Sequence, residues 1–444
     1  MGPMEGEQPM AKRARVEEEQ DGAREDPYAV PAEEVMRITY VNDPSEVLAL
    51  QASHDRWFRP AFTHQVFGQD EVVRGYESCL VSVYLHATTM HAFVSIETKG
   101  KQENADDIPR LLDENLGLQY TSDAKEFEER VRATEPKLRE EVARAGGYEG
   151  GVVSYQPHRE DCTALRELHD RLQFLPLLYV DGANYIDNTD PRWSVYLGVS
   201  SNGTICGFAT VYTFYAYPAR ERLRLSQILV LPPHRGRGVA SSLLRRAYDD
   251  AARRGAIDLT VEDPSEEFQA LRERVDLRRV LGDAFFENFA RDAVARHELQ
   301  LRNGMRPDTL LMPTRDVYAQ AEDRLKIHRA QLRKVWECVL LRELSRGKLA
   351  DVARDLVAKV VEQRLSTRLS EQRLQRASSN KHVIDRSKDD FIMTRVFLGA
   401  GGKREMAELT DEEARRIREE DEGRVDGRMA KVVALAGALE VVAS

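Results

Sequence analysis

Apolar residues in the middle of this chain fall into short runs divided by turn signals, and each run predicts an element. Trp193 to Val199 is a strand candidate, and Ser201-Asn202-Gly203 is a hairpin turn signal. Thr204 to Tyr217, rich in aromatic and β-branched residues, predicts a second strand that Pro218 ends. Leu225 to Leu231 alternates or runs apolar, and Pro232-Pro233 stops it. The spacing then becomes helical from Val239 to Arg254, and Ile257 to Val261 predicts one more short strand. This order builds a mixed α/β sheet with a ligand site at its strand ends. Upstream, Val81 to Ile96 alternates as sheet, and Glu103 to Glu149 reads as loops and amphipathic helices. Gln173 to Val180 is apolar and predicts core rather than site. Beyond Asp292 the chain becomes helical, with apolar residues at helical spacing over Tyr318 to Glu343 and Lys348 to Leu374.

The turn Arg235-Gly-Arg-Gly-Val-Ala240 carries the first candidate chemistry. Gly236 and Gly238 let backbone N–H groups approach a ligand closely. The helix opening at Val239, Ala240 and Ser241 directs unpaired N–H groups and its positive dipole end to the same place. That is a cradle for a pyrophosphate, to which Arg235 and Arg237 can add charge. The turn fits neither the G-x-G-x-x-G of dinucleotide folds nor the Gly-Lys-Ser/Thr of a P-loop.

Composition narrows the partners. The 444 residues allow two or three domains, and 42% hydrophobic residues allow full cores. A net charge of −10 suits a basic polypeptide better than a nucleic-acid backbone, although solubility explains it equally well. Cys79, Cys162, Cys206 and Cys338 form no Cys-x-x-Cys pair, and the histidines show no H-E-x-x-H spacing, so no metal is expected. No apolar run is long enough to span a bilayer; Val432 to Val442, with Glu440, reads as a small helix or an unpacked tail. The polar N-terminus predicts disorder, with Ala11 to Val16 a basic patch of nuclear-localisation type.

Several blocks resemble the type B histone acetyltransferase catalytic subunits of the GCN5-related acetyltransferase superfamily. Arg235-Gly-Arg-Gly resembles motif A of that superfamily. Ser226-Gln-Ile-Leu-Val-Leu231, Leu259-Thr-Val-Glu-Asp-Pro-Ser265, Tyr185-Ile-Asp with Asp190-Pro-Arg-Trp193, and the distant Phe62 to Glu71 followed by Gly75-Tyr76 resemble the type B family. Lys326-Ile-His-Arg and Arg333 to Glu337 resemble its C-terminal helical segment more weakly. The resemblance implies acetyl-coenzyme A as acetyl donor, with Ile228, Leu229 and Val230 offering strand backbone to its pantetheine arm. It implies the N-terminal tail of free, newly made histone H4, with histone H3 beside it, as substrate, and a WD-repeat histone-binding chaperone as partner. Asp70 and Glu71 in the N-terminal block, with Trp193, Tyr212, Thr213 and Phe214, match positions that meet the tail; Gln69 stands where the family often has a further acid. Glu262 is the candidate general base, its carboxylate expected to be desolvated beside Val261, with Asp263 next to it. Asp181 stands where the family usually has Glu; it acts directly, through a water, or only on the electrostatics. No serine or cysteine nucleophile is evident, so direct transfer is favoured over an acyl-enzyme.

The expected fold is α/β with a GCN5-related mixed sheet. The expected domains are a disordered charged tail (1–29), an N-terminal substrate-binding domain (30–160), a catalytic domain (161–291), a helical segment (292–375), and a linker with charged tail (376–444). The expected location is nucleus and cytoplasm. A catalytically impaired histone-binding scaffold, and an acetyltransferase for another protein or a small amine, stay open at this stage.

Overall fold

The computed structural model describes residues 26–47, 57–147, 151–377 and 423–438. It forms two compact units that interleave along the chain. Of the described residues, the first holds those up to 147 with Pro157–Thr189 and Ser200–Ile205; the second holds 151–156, Asp190–Val199 and those from Cys206 onward. The basic patch Ala11 to Val16, the linker read after Ala377 and the mixed-charge run Arg404 to Glu422 lie outside the described residues.

In the first unit β1 (Ala29–Pro31) pairs antiparallel with β3 (Val72–Arg74). Four strands, β2 (Met36–Val41), β4 (Ser78–His86), β5 (Ala92–Lys99) and β6 (Tyr120–Thr121), form a mixed sheet of order β2-β4-β5-β6. β4 is central, and Val81, Val83, Tyr84 and Leu85 are fully buried. Helix α1 (Ile108–Glu114) precedes α2 (Ala124–Arg144), which opens at Asp123, whose side chain accepts from the N–H groups of Lys125 and Glu126. Phe127 and Val131, one turn apart on α2, pack with Val41, Val47, Tyr84 and Phe93. Helix α3 (Thr163–Leu172) leads into α4 (Phe174–Tyr179), where the apolar run expected to be core is helical and buried.

The second unit carries a five-stranded sheet of β7 (Gly151–Tyr155), β8 (Trp193–Val199), β9 (Ile205–Ala216), β10 (Arg220–Val230) and β11 (Leu259–Val261), in the order β11-β10-β9-β8-β7. β10 runs antiparallel to β9 and parallel to β11. A parallel pair needs a crossover, and α5 (Val239–Arg253) supplies it. Its Leu243, Leu244, Ala247 and Tyr248 form one core with Ala209, Val211, Leu223 and Leu225 of the sheet. Further helices extend that core: α6 (Glu266–Leu281), α7 (Ala284–Arg302), α8 (Arg329–Arg346), α9 (Ala353–Ala377) and α10 (residues 423–438).

Two details differ from the pattern read along the chain. Helical spacing over Tyr318 to Glu343 is broken in the structure: Ala321–Leu325 is a single π turn, Lys326 has φ 59°, and α8 starts only at Arg329. The break lets the Lys326 carbonyl accept from the Leu259 N–H at 3.2 Å, so the outer edge of β11 gains a partner. The residues around Val432 are packed: Val432 is fully buried in the same core as Trp336 and Val361. Arg428 on α10 donates to Glu337 (2.8 Å), to Glu273 (2.6 Å) and to the Lys334 carbonyl (2.7 Å). Burial alone would lower the Arg428 pKa, but Glu337 and Glu273 outweigh it and hold the pKa raised.

Candidate functional site

The site is built at a fault in β10. Its register with β9 slips between Leu225 and Gln227, leaving Ser226 as the extra residue of a β-bulge. Before the slip, β10 lies between β9 and β11; beyond Leu225, no strand among the described residues pairs with its outer edge. The Leu231 N–H bonds to the Cys206 carbonyl at 3.0 Å. Alternation along the ladder then turns the backbone groups of Ile228 and Val230 to the open edge. Gly207 makes this geometry possible, because a Cβ there would lie 2.5 Å from the Leu229 carbonyl oxygen. The Arg235 side chain folds back and donates through Nε to the Val230 carbonyl at 3.2 Å.

Past this edge the chain turns through Gly236 (φ 74°) and Gly238 (φ 81°) into α5. Both glycines are needed for their left-handed backbone; the space around them is open, since a Cβ on either meets nothing within 4 Å. Gly238 is the N-cap and makes no side-chain cap bond. The first helical bond runs from the Ser242 N–H to the Gly238 carbonyl, so the N–H groups of Val239, Ala240 and Ser241 precede the ladder. A fifteen-residue helix entered through a glycine turn, with its first N–H groups ahead of the helical ladder, suits an anion held by backbone.

One sheet face flanks the bulge with aromatic rings. Trp193 meets Tyr212 edge-on (centroids 4.8 Å), and Tyr212 meets Phe214 (4.7 Å). The Arg192 guanidinium lies 4.9 Å from the Tyr212 ring centre, and that of Arg224 lies 4.8 Å from Phe214. Thr213 is not with them: alternation sends it to the helix side, where its hydroxyl accepts from Arg254 at 3.1 Å. Glu262 shares the aromatic face by register, since Tyr212 pairs with Arg224 and Arg224 with Thr260, two residues before it. Negative charge is not concentrated there. Arg192 and Arg222 line the same face, matched by Asp190 (2.7 Å) and the buried Asp258 (2.6 Å).

Glu262 itself sits just past β11, its N–H bonded to the Leu225 carbonyl at 2.9 Å. Its side chain is exposed, so the desolvation expected from Val261 is not provided by the second unit's fold. Asp263, also exposed, has φ 33°, so strand alternation stops before it. The remaining acids lie in the first unit. Asp181 follows α4 with its side chain 77% exposed, and its Oδ1 lies 3.9 Å from His64 Nε2. Glu71 (φ 50°) accepts from the N–H and hydroxyl of Thr63, both at 3.0 Å, and these bonds hold its carboxyl below the usual range. Asp70 pairs with Arg74 at 3.1 Å. The structure thus groups Asp181, His64 and Glu71 in one unit, and Glu262, Asp263 and the aromatic face in the other. His64, Arg192, Arg224 and Gln227 were not singled out along the chain. Only pairing across strands, or between residues far apart in sequence, reveals them.

Comparison with known proteins finds two overlapping family matches along the chain. Residues 28–181 match the family model described as histone acetyl transferase HAT1 N-terminus, and residues 162–274 match the acetyltransferase (GNAT) family. The chain is 29% identical over 339 residues to the histone acetyltransferase type B catalytic subunit of Arabidopsis thaliana, covering 70% of this chain and 71% of that one. It is 31% identical to the Yarrowia lipolytica protein of the same name, covering 51% of this chain and 57% of that one. A Dictyostelium discoideum relative of that name is 28% identical, covering 54% and 56%.

Proposed function

Because the chain belongs to the family of type B histone acetyltransferase catalytic subunits, within the GNAT acetyltransferases, we propose that it acetylates lysines in the N-terminal tail of free histone H4. The observation that carries this reading is the bulged strand. One fault in β10 leaves the Ile228–Val230 edge without a strand partner among the described residues, between the bond to Glu262 and the glycine turn into α5.

Acetyl-coenzyme A supplies the acetyl thioester. The glycine turn and the N–H groups of Val239, Ala240 and Ser241 would hold its pyrophosphate, with Arg237 adding charge. The open edge at Ile228 and Val230 would pair with its pantetheine amides, and an N–H there would polarise the thioester carbonyl. A lysine ammonium, with pKa about 10.4, must first lose a proton. The Glu262 carboxylate takes it, and the freed amine forms the C–N bond as the C–S bond breaks and the thiolate leaves. Trp193, Tyr212 and Phe214 would flank the apolar lysine stem. By the family resemblance, Asp70 and Glu71 would meet the basic tail, and Asp181 would assist proton removal directly, through a water, or only through the electrostatics. A WD-repeat histone-binding chaperone, and histone H3 beside H4, are the proposed partners, in nucleus and cytoplasm.

The test is radiolabelled acetyl transfer to a free histone H4 tail peptide, with mass spectrometry of the product. Acetylation of one or two tail lysines is expected; tight peptide binding without transfer would replace the proposal with a scaffold role. Gly238→Val is expected to weaken acetyl-coenzyme A binding by about tenfold or more. A β-branched residue resists φ 81°, at roughly 1–2 kcal/mol for the left-handed region, and the N–H groups of the turn lose their alignment. Calorimetry showing unchanged affinity would remove the turn from that role.

A further inference from the structure

We infer that Ser226 is a positioning residue that aims the base. The inference rests on the reading of Glu262 as base and adds a second member to that machinery. Its ground is what the bulge does to the pleat. Leu223 and Leu225 before the fault, and Ile228 after it, all pack on the helical core, so the side-chain parity of β10 reverses there. Reversal requires two successive side chains on one face, and these are Ser226 and Gln227. Each reaches a neighbouring strand. Gln227 Oε1 accepts from the Thr210 hydroxyl on β9 at 3.5 Å, and the Ser226 hydroxyl donates to Glu262 Oε2 at 2.6 Å.

That second bond is short, and among the described residues it is the hydrogen bond made by the Glu262 carboxylate. Glu262 needs it. The carboxylate is exposed, the strand ends one residue earlier, and Asp263 already has a left-handed backbone. Without a tether, an exposed glutamate samples many rotamers. With Ser226 holding Oε2, Oε1 stays available to a lysine ammonium in one orientation. Backbone and side chain are then fixed from adjacent residues of β10, since Leu225 accepts the Glu262 N–H and Ser226 bonds its carboxylate. A regular strand would have put residue 226 opposite a β9 residue but moved residues 227 to 230 out of phase with the core. The fault that opens the cofactor edge is therefore also what sets a hydroxyl on the base.

The experiment uses the full chain, a histone H4 tail peptide and steady-state kinetics on Ser226→Ala, Ser226→Thr, Glu262→Gln and the Ser226→Ala/Glu262→Gln pair. Ser226→Ala is expected to lower kcat by roughly 10- to 100-fold, as misplacement of a catalytic group does, with KM for acetyl-coenzyme A within about twofold. Ser226→Thr keeps the hydroxyl and is expected to recover most of the rate. In the Glu262→Gln background, Ser226→Ala is expected to cost nothing further, because a positioning residue has nothing left to position. Independent, multiplying losses, or a Ser226→Ala defect confined to KM for acetyl-coenzyme A, would overturn the inference while leaving Glu262 as base. Wild-type turnover in Glu262→Gln would overturn the base reading itself.

Discussion

Glu262→Gln is expected to lower kcat by roughly 10²–10⁴-fold while leaving acetyl-coenzyme A affinity unchanged. Glutamine has nearly the same size and can still accept the Ser226 hydroxyl bond, so the local structure has no reason to move. What it cannot do is take a proton. Only lysine that is already neutral then reacts. Below an amine pKa of about 10.4, the neutral fraction grows about tenfold per pH unit. The residual rate of Glu262→Gln is therefore expected to climb about tenfold per unit between pH 7 and 9, more steeply than wild type. Stopped-time acetyl transfer across that range reads both the size of the loss and its slope. A wild-type rate at every pH would assign proton removal to another group.

Arg428→Ala is expected to destabilise the second unit by about 3–5 kcal/mol, the usual cost of breaking a buried ion pair from one side. The substitution strands Glu273 and Glu337, whose side chains are 7% and 1% exposed, and leaves Glu337 with Arg364 alone. In a folded body of this size that corresponds to a fall in Tm on the order of 10 °C. Differential scanning fluorimetry measures it. Adding Glu273→Gln and Glu337→Gln to Arg428→Ala is expected to recover part of the loss, since neutral amides cost less to bury than carboxylates. A Tm within a degree of wild type would mean that α10 contributes little to the core.

The second unit's sheet was legible because its signals are local. Trp193 to Val199 and Thr204 to Tyr217 are apolar runs ended by turn residues, and both are strands within a residue or two. The glycine turn was legible for the same reason: φ 74° and 81° are values glycine adopts without cost. The bulge was not legible. Nothing in Leu225-Ser226-Gln227 distinguishes a continuous strand from a faulted one, because the fault depends on which β9 residue lies opposite. The placement of Thr213 followed from the same gap: chain neighbours were read together, whereas the pleat separates them. Lys326 shows a third kind of limit. Periodicity carried a helix through it, but a hydrogen bond owed to β11 bends the chain there. At the C-terminus, helical pattern alone could not show that Arg428 enters a buried acidic pair contributed by α6 and α8.

The interleaving of the two units also bears on how the molecule can be made. Among the described residues the chain passes between units between 147 and 151, and after residues 156, 189, 199 and 205. The edge strand β7 is synthesised before α3 and α4 of the first unit, yet it waits for β8 to pair with it. The tip of the β8–β9 hairpin in turn belongs to the first unit, where the Ile205 N–H bonds to the Ala87 carbonyl at 2.9 Å. Each unit thus holds a piece that the ribosome delivers in the middle of the other. No single cut in the gene therefore divides the two units into separate continuous segments.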